Sequence, residues 1–340
     1  MQIEITDTQP QKWVSTIAKY FDLPVHSNCM EETLLLAPPL GAGKITGFGF
    51  SGGLGILLLY CTLEEDWELL IQQAVPALQF NFCVAGNIRH FLQNKEIQYQ
   101  LMPLQGSITA NKAGYQESIF LPARTELIFT HLVINRAAYL NRIDCLVNET
   151  PPELSNVFKD VAGDNTFLYQ SNYSLAIAEI IKRIISDKNE GLVRSALIEG
   201  KTLELLSKQI KQYSDDLQLP DKQVVLRQSD VATIEAARDI LIANLKTPPT
   251  IEELARQTGI NRQKLKSGFK IVFDRTIHTY LREYRLETAA ALLLSGKSAG
   301  EVAMHVGYVN QSHFARLFKE KYGVLPKDYL KTIQHRIQHK

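Results

Sequence analysis

Residues 298–322 read SAGEVAMHVGYVNQSHFARLFKEKY. Ser298 and Glu301 make the S-x-x-E pattern in which hydroxyl and carboxylate each satisfy a backbone N–H at a helix start. Val302 and Ala303 follow at inward positions, and Ala suits a point where two helices cross closely. Gly307 supplies the left-handed residue that stops the first helix. Asn310 caps a second helix, predicted over Gln311 to Tyr322, with Phe314, Leu317 and Phe318 as its buried stripe. Residues 250–273, TIEELARQTGINRQKLKSGFKIVF, repeat the design. Thr250 and Glu253 form the capping box of a helix predicted through Gln257. Leu254 and Ala255 face inward, and Gly259 ends the helix. Asn261 caps a second helix, Arg262 to Val272, carrying Leu265, Phe269 and Val272. Aligning Gly259 with Gly307 places Ala255 on Ala303, Phe269 on Phe318, and Asn261 on Asn310 with one extra residue. Two short helices joined by a glycine-containing turn are the helix-turn-helix signature.

The outward face of each second helix carries residues suited to duplex DNA. The first offers Arg262, Gln263, Lys266, Ser267 and Lys270; the second offers Asn310, Gln311, Ser312, Ala315, Arg316 and Lys319. Arg and Lys pair with guanine edges in the major groove, and Asn and Gln with adenine. Residues at the start of such a helix reach bases, and later cations meet phosphate. Between the copies, Thr276 to Leu294 reads as one helix whose inward set is Ile277, Tyr280, Leu281, Tyr284, Ala289, Leu292 and Leu293. Its 19 residues span roughly 28 Å, against about 34 Å between successive major grooves on one face of DNA. It is expected to act as a strut that presents both readers together.

Charge agrees with this placement. The chain has 340 residues and a net charge of +1. From Ser229 onward there are 18 Lys and Arg against 11 Asp and Glu, a balance of +7; the remainder carries 19 against 25, or −6. A basic terminal third suggests an anionic partner. The length suggests two or three domains. No run of about 18 apolar residues is present, so no membrane span is expected, and the acidic start lacks the marks of a signal peptide. Cys29, Cys61, Cys83 and Cys145 show no C-x-x-C pair, which argues against a thiolate zinc site or a disulfide framework and for plain thiols in a reducing cytoplasm.

Upstream, residues 30–135 read as many short strands: Thr33–Ala37, Ile45–Phe50, Trp67–Gln72, Leu78–Val84, Ile97–Met102, Ser118–Leu121 and Glu126–Ile134, with Leu54–Cys61 as a buried strand. Their spacing predicts an antiparallel sandwich or barrel. From 136 the period becomes helical. Ile177, Ile181 and Ile184 form one stripe; Val193, Leu197, Leu203, Leu206 and Ile210 mark a longer helix. That face either packs on the β domain or pairs two copies of the chain. Ser214 to Gln228 is polar, contains Pro220 and reads as a linker.

At residues 306–319, followed by Gly323 and Pro326-Lys-Asp-Tyr329, the sequence closely resembles the AraC/XylS family of regulators. The match spans about 229–333. Leu325 stands where that family commonly has a Ser or Thr cap, and Leu330 where Arg is common. The resemblance implies base-reading roles for Arg262, Gln263, Lys266, Ser267, Gln311, Ser312, Ala315 and Arg316. The stretches 237–241, 261–270, 280–286 and 199–206 are similar to the family's pyochelin-responsive branch. The implied architecture is α+β and multidomain: a cupin-like effector-sensing β domain over 1–135, a helical dimerisation or packing region over 136–213, a linker over 214–228, and an all-α domain with two helix-turn-helix units over 229–333. The implied role is a cytoplasmic transcription regulator, most simply an activator and not an enzyme, that binds promoter DNA, contacts RNA polymerase and forms a homodimer. Its effector would be a small molecule, a ferric siderophore in the narrower branch, with iron-uptake genes as targets; a regulator answering another small molecule or stress is the alternative.

Trp67, Phe80, Phe82, Tyr99 and Phe129 are the candidate linings of an aromatic effector pocket, although each also suits a plain core. His26, His90 and His131 lack metal-ligand spacing and read as structural, so no metal and no cofactor are expected. Three other classes remain to be weighed. A metal-dependent cupin enzyme fused to a DNA tether would carry bound transition metal. A repair protein of the Ada type would need a cysteine cluster. An architectural binder would show little sequence preference at fixed salt. Gly41-Ala-Gly43-Lys44 and Gly52-Gly53-Leu54-Gly55 lack the context of a phosphate loop or a nucleophile elbow.

Overall fold

In the computed structural model the first 134 residues form twelve strands and one helix. β1 (Gln2–Ile5) leads into α1 (Pro10–Tyr20), then β2 (His26–Ser27), β3 (Glu31–Leu36), β4 (Gly41–Gly49), β5 (Leu54–Leu63), β6 (Trp67–Ile71), β7 (Leu78–Ala85), β8 (Ile88–Leu92), β9 (Ile97–Leu101), β10 (Gln105–Ala110), β11 (Glu117–Leu121) and β12 (Glu126–Ile134). Helices follow: α2 (Arg136–Ile143), a 3-10 turn, α3 (Pro152–Lys159), then β13 (Phe167–Gln170), α4 (Leu175–Ile185) and α5 (Gly191–Gln218). The structure describes residues 1–143, 145–218, 226 and 228–338, with side chains for all of these except 228 and 333–338. Two units are resolved by their internal packing, Met1–Gln223 and Val224–Lys340.

The first unit is built on two sheets. One has five strands in the order β1-β6-β11-β8-β9; the other has eight, ordered β13-β10-β7-β12-β5-β4-β3-β2. Neighbours are antiparallel except β1 and β6, which run parallel. Inward residues of both sheets, including Leu57, Leu59, Leu63, Leu69, Ile88, Leu101, Ile119 and Leu127, make one core with Trp13, Val14 and Ile17 of α1. The helix α1 lies on the eight-stranded sheet and starts against β4 at Gly47. A Cβ at Gly47 would stand 2.5 Å from the Pro10 carbonyl oxygen, so only glycine admits the helix backbone there. Both faces of β5 are covered, which is why Leu54–Leu59 forms an unbroken apolar run instead of an alternating one. On the outer face, Phe80 packs on Phe158 of α3, and Gln209 of α5 donates to the Asn81 carbonyl at 2.9 Å.

Each strand run expected from the sequence falls on a strand, though β4 begins at Gly41, four residues early. Six features were not anticipated: β1, α1, β2, β8, β10 and β13. The last is a strand inside a region read as helix, and it extends the larger sheet by pairing with β10. The face assigned to the long helix is also corrected. Val193 is 62% exposed, and the buried line of α5 is Ile198, Thr202, Leu205, Leu206, Gln209 and Tyr213. Two polar members hid that stripe: Thr202 donates to the Ile198 carbonyl, and Gln209 reaches the sheet. The segment read as a linker, 214–228, begins in helix, since α5 continues to Gln218 and α6 starts at Gln228. Between them, Leu226 excepted, the segment lies outside the described residues.

The second unit is all helix: α6 (Gln228–Ala243), α7 (Ile251–Thr258), α8 (Arg262–Phe273), α9 (Ile277–Leu294), α10 (Ala299–His305), α11 (Gln311–Tyr322) and α12 (Pro326–Gln338). The long α9 packs against α6 and α8 on one side and against α10, α11 and α12 on the other. Its buried residues are Ile277, Leu281, Leu286, Ala289, Ala290 and Leu293. Tyr280, Tyr284 and Leu292, expected inward, are half-buried. The described residues contain no helix long and apolar enough to cross a membrane.

Candidate nucleic-acid interface

Both helix pairs start as their sequences require. Thr250 Oγ1 accepts from the Glu253 N–H at 3.2 Å, and the Glu253 carboxylate accepts from the Thr250 N–H at 2.8 Å. Ser298 and Glu301 repeat this at 3.3 and 3.1 Å. Backbone and hydroxyl donors hold the Glu253 carboxyl below its ordinary range; at Glu301 the Ser298 hydroxyl leads, followed by its N–H. Gly259 and Gly307 close the first helices with φ of 70° and 86°. Asn261 then caps α8 by accepting from the Lys264 N–H at 2.7 Å, and Asn310 caps α11 by accepting from the His313 N–H at 3.0 Å.

Burial separates the faces of α8 and α11 cleanly. Leu265, Gly268, Phe269, Val272 and Phe273 of α8 are buried, as are Phe314, Leu317 and Phe318 of α11. Arg262, Gln263, Lys266 and Lys270 are exposed, with Ser267 half-buried and its hydroxyl donating to the Gln263 carbonyl. On α11, Asn310, Gln311, Ser312, Arg316 and Lys319 are exposed and Ala315 is half-buried. Each candidate reading residue therefore stands on the outer face of its helix or at that helix's cap. Asn310 spends its carbonyl oxygen on the cap, leaving its amide N–H groups as donors. Arg262 pairs with Glu252 at 2.7 Å, and Arg316 with Glu320 at 2.6 Å, all four side chains more than half exposed. Such pairs are weak and exchange readily for phosphate or base partners.

The sequence did not single out two residues that shape this surface. Arg285 on α9 donates to the Leu245 carbonyl through Nε at 3.1 Å and through Nη2 at 2.5 Å. Its guanidinium also lies over the Tyr308 ring at 5.5 Å. It thereby fastens the turn of the second pair to the end of the α6 segment. Val309, the extra residue of that turn, is fully exposed, at 101%. The mismatch in turn length was the one signal that marked it.

In the first unit the five aromatics expected to share an effector pocket do not share one. Trp67, Tyr99 and Phe129 lie in the core between the sheets. Phe80 and Phe82 point to the opposite face of β7, since Asn81 and Cys83 take the inward positions opposite His131 and Phe129. The strand period of 2 separates them. Between the sheets runs instead a buried polar chain. Glu117 accepts from Gln79 and bonds His90 at 2.5 Å; Tyr99 bonds His90 and Ser107; Asn81 bonds Ser107 and His131. Burial, with the neighbouring His90, pushes His131 down to about 3, so it is neutral at pH 7. His26 lies apart from this chain, on the exposed strand β2. Cys61 and Cys83 are buried thiols pushed up to about 12 by desolvation, and Cys29 and Cys145 are exposed and free. Among the described residues no group of three or more His, Cys, Asp or Glu is placed to hold a metal ion.

Comparison with known proteins agrees with both units. Residues 254–332 match the family model described as a helix-turn-helix domain, and residues 42–224, more than half of the chain, match the N-terminal domain of regulatory protein PchR. Regulatory protein PchR of Pseudomonas aeruginosa is 34% identical over 118 residues, which is 35% of this chain and 40% of that protein. The chain thus aligns with well under two thirds of that relative. Regulatory protein SoxS of Escherichia coli is 31% identical over 87 residues, 25% of this chain and 81% of SoxS. A probable AraC family transcriptional regulator from Rhodopseudomonas palustris has a solved structure 26% identical to this chain; it covers 30% of this chain and 96% of its own, with a TM-score of 0.28. The chain belongs to the AraC-type regulators in which a helix-turn-helix domain follows a PchR-type N-terminal domain.

Proposed function

We propose that this protein is a sequence-specific DNA-binding regulator that enters two major-groove segments of a promoter with α8 and α11. The observation that carries this reading is the repeated geometry: two capped helix pairs, each with a buried apolar stripe and an outer face of Arg, Lys, Gln and Asn. The proposed base readers are Arg262, Gln263, Lys266 and Ser267, then Gln311, Ser312, Ala315 and Arg316, with Asn310 beside them and Lys270 and Lys319 on phosphate. Residues 1–135 take a small effector, 136–213 adjust packing or pairing of two chains, and 229–333 bind DNA. The resemblance to the pyochelin-responsive branch supports a ferric siderophore as effector, iron-uptake genes as targets, and activation through RNA polymerase in the cytoplasm.

Genome-wide DNA occupancy in iron-replete and iron-starved cells tests this reading. Occupancy at a shared sequence motif near iron-uptake genes, changing with iron, is the expected result. Unchanged occupancy and expression at those genes would remove the siderophore, and absence of any preferred sequence would remove the regulator.

A further inference from the structure

At the end of the sheets where β6 turns into β7, a cleft of about 140 Å³ opens to solvent. Its walls combine the hydrocarbon side chains of Val75, Pro76, Ala77, Ala137 and Val161 with the neutral polar residues Thr8 and Asn135. Among the described residues the one charged group lining it is Arg136, the first residue of α2, only 2% exposed. Taking a guanidinium out of water is costly unless its donors and its charge are both met. Here they are met in part. Nη2 donates to the Pro76 carbonyl at 2.7 Å and Nη1 to the Val157 carbonyl at 3.4 Å, but both acceptors are neutral. The carboxylate in reach, Asp160, stands at 3.8 Å and already accepts from the backbone N–H groups of Asp164 and Asn165. Nε has no partner. Beside the guanidinium, Gly163 keeps space open: a Cβ there would come within 3.3 Å of Nη2. A second cleft of about 280 Å³ shares Thr8 and Asn135 with the first and is lined by Pro10, Gly49, Gly53 and Val133. Together they approach the size of small-molecule sites.

We propose that this cleft binds a small organic carboxylate, its anionic group on the Nε–Nη2 edge of Arg136 and its apolar body against Val75, Ala77 and Val161. An arginine edge takes a carboxylate through two parallel N–H bonds, which a neutral amide of the same shape cannot reproduce. The inference rests on the reading that the first unit receives a small effector, and it names the chemical class.

Benzoate and benzamide share ring and shape but differ in charge and in one acceptor oxygen replaced by a donor NH2, and their ring suits a cavity of about 150 Å³. Each is titrated into the full chain and followed by ligand-observed NMR. Benzoate is expected to bind about tenfold tighter than benzamide. Arg136→Gln is expected to abolish that preference. Because loss of the Pro76 and Val157 contacts can unfold that variant, Ala137→Trp, at an exposed cleft wall, serves as the second; thermal unfolding reports whether each folds. It is expected to block benzoate. Equal binding of the two ligands, no benzoate binding, or unaltered binding in folded Ala137→Trp overturns the proposal. Promoter binding by the same preparation is measured separately, so failure of the regulatory reading shows there and leaves the benzoate result standing.

Discussion

The two helix pairs of the second unit share a plan and differ in how firmly each is held. In the first, Arg262, a proposed base reader, is tied to Glu252 at the start of the partner helix. In the second, the corresponding positions are Gln311 and Gly300, where a Cβ would come within 3.3 Å of the Gln311 amide. The first turn closes on Gly259, with open space around it; the second closes on Gly307, hemmed by the Leu245 and Lys246 carbonyls and by Arg285. The first helix α8 ends on Asp274 in the left-handed conformation, and α11 ends on Gly323. The same motif has thus been fitted to two surroundings, with an exposed ion pair beside one copy and close packing around the other.

The largest test of this contrast removes each core in turn. Phe269→Ala and Phe314→Ala delete fully buried rings and are each expected to cost about 3–5 kcal/mol. Denaturant unfolding measures the cost, and footprinting shows whether each loss silences its own half-site first. Next come the turn glycines. Gly259→Ala is expected to cost about 1–2 kcal/mol, the price of an L-residue in a left-handed turn. Gly307→Ala should cost clearly more, because its Cβ would meet the Leu245 oxygen at 2.6 Å. Equal costs would show that the surroundings of the two turns are alike after all.

Arg262→Ala and Arg316→Ala should each weaken binding to the cognate operator by about 1–3 kcal/mol, or roughly 5- to 150-fold, and relax specificity in one half-site. If both leave site-specific binding intact, the reading faces are misassigned. Val309→Ser addresses the extra residue of the second turn. A branched hydrocarbon there suits a thymine methyl. Replacing one thymine of that half-site by uracil should cost about fourfold with Val309 and nothing with Ser, given about 0.8 kcal/mol per buried methylene. The smallest effect belongs to Glu252→Gln. Releasing Arg262 from its carboxylate should tighten binding by about two- to threefold, within the range of exposed ion pairs, and steepen the salt dependence. Unchanged affinity and slope would mean that Glu252 does not hold Arg262 back.

The second unit was legible in the sequence because each of its boundaries is a local event. A hydroxyl or amide caps a helix, a glycine ends it, and apolar residues recur every three or four positions. Eight of the thirteen strands of the first unit were legible for the same reason. What stayed hidden was decided at a distance. Thr202 and Gln209 read as polar, yet they occupy the buried line of α5 because their hydrogen bonds end on a carbonyl of the same helix and on a distant strand. Phe80 and Phe82 resembled pocket residues together with Phe129, until strand pairing put them on the far side of the sheet. Arg136 carried no motif at all; its interest comes from carbonyls 60 and 21 residues away.

The helix α9 packs on both helix pairs, and Arg285 clamps its middle to the Leu245 carbonyl beside the second turn. A helix is an unforgiving ruler: one inserted residue advances its far end by about 1.5 Å and swings it by about 100°. On the proposed reading, lengthening this arm would turn one reader out of its groove segment while the other kept its own. On that reading, too, the tolerated distance between the halves of an operator is set by this one rod, and new targets would arise through exchange of outward side chains on α8 and α11.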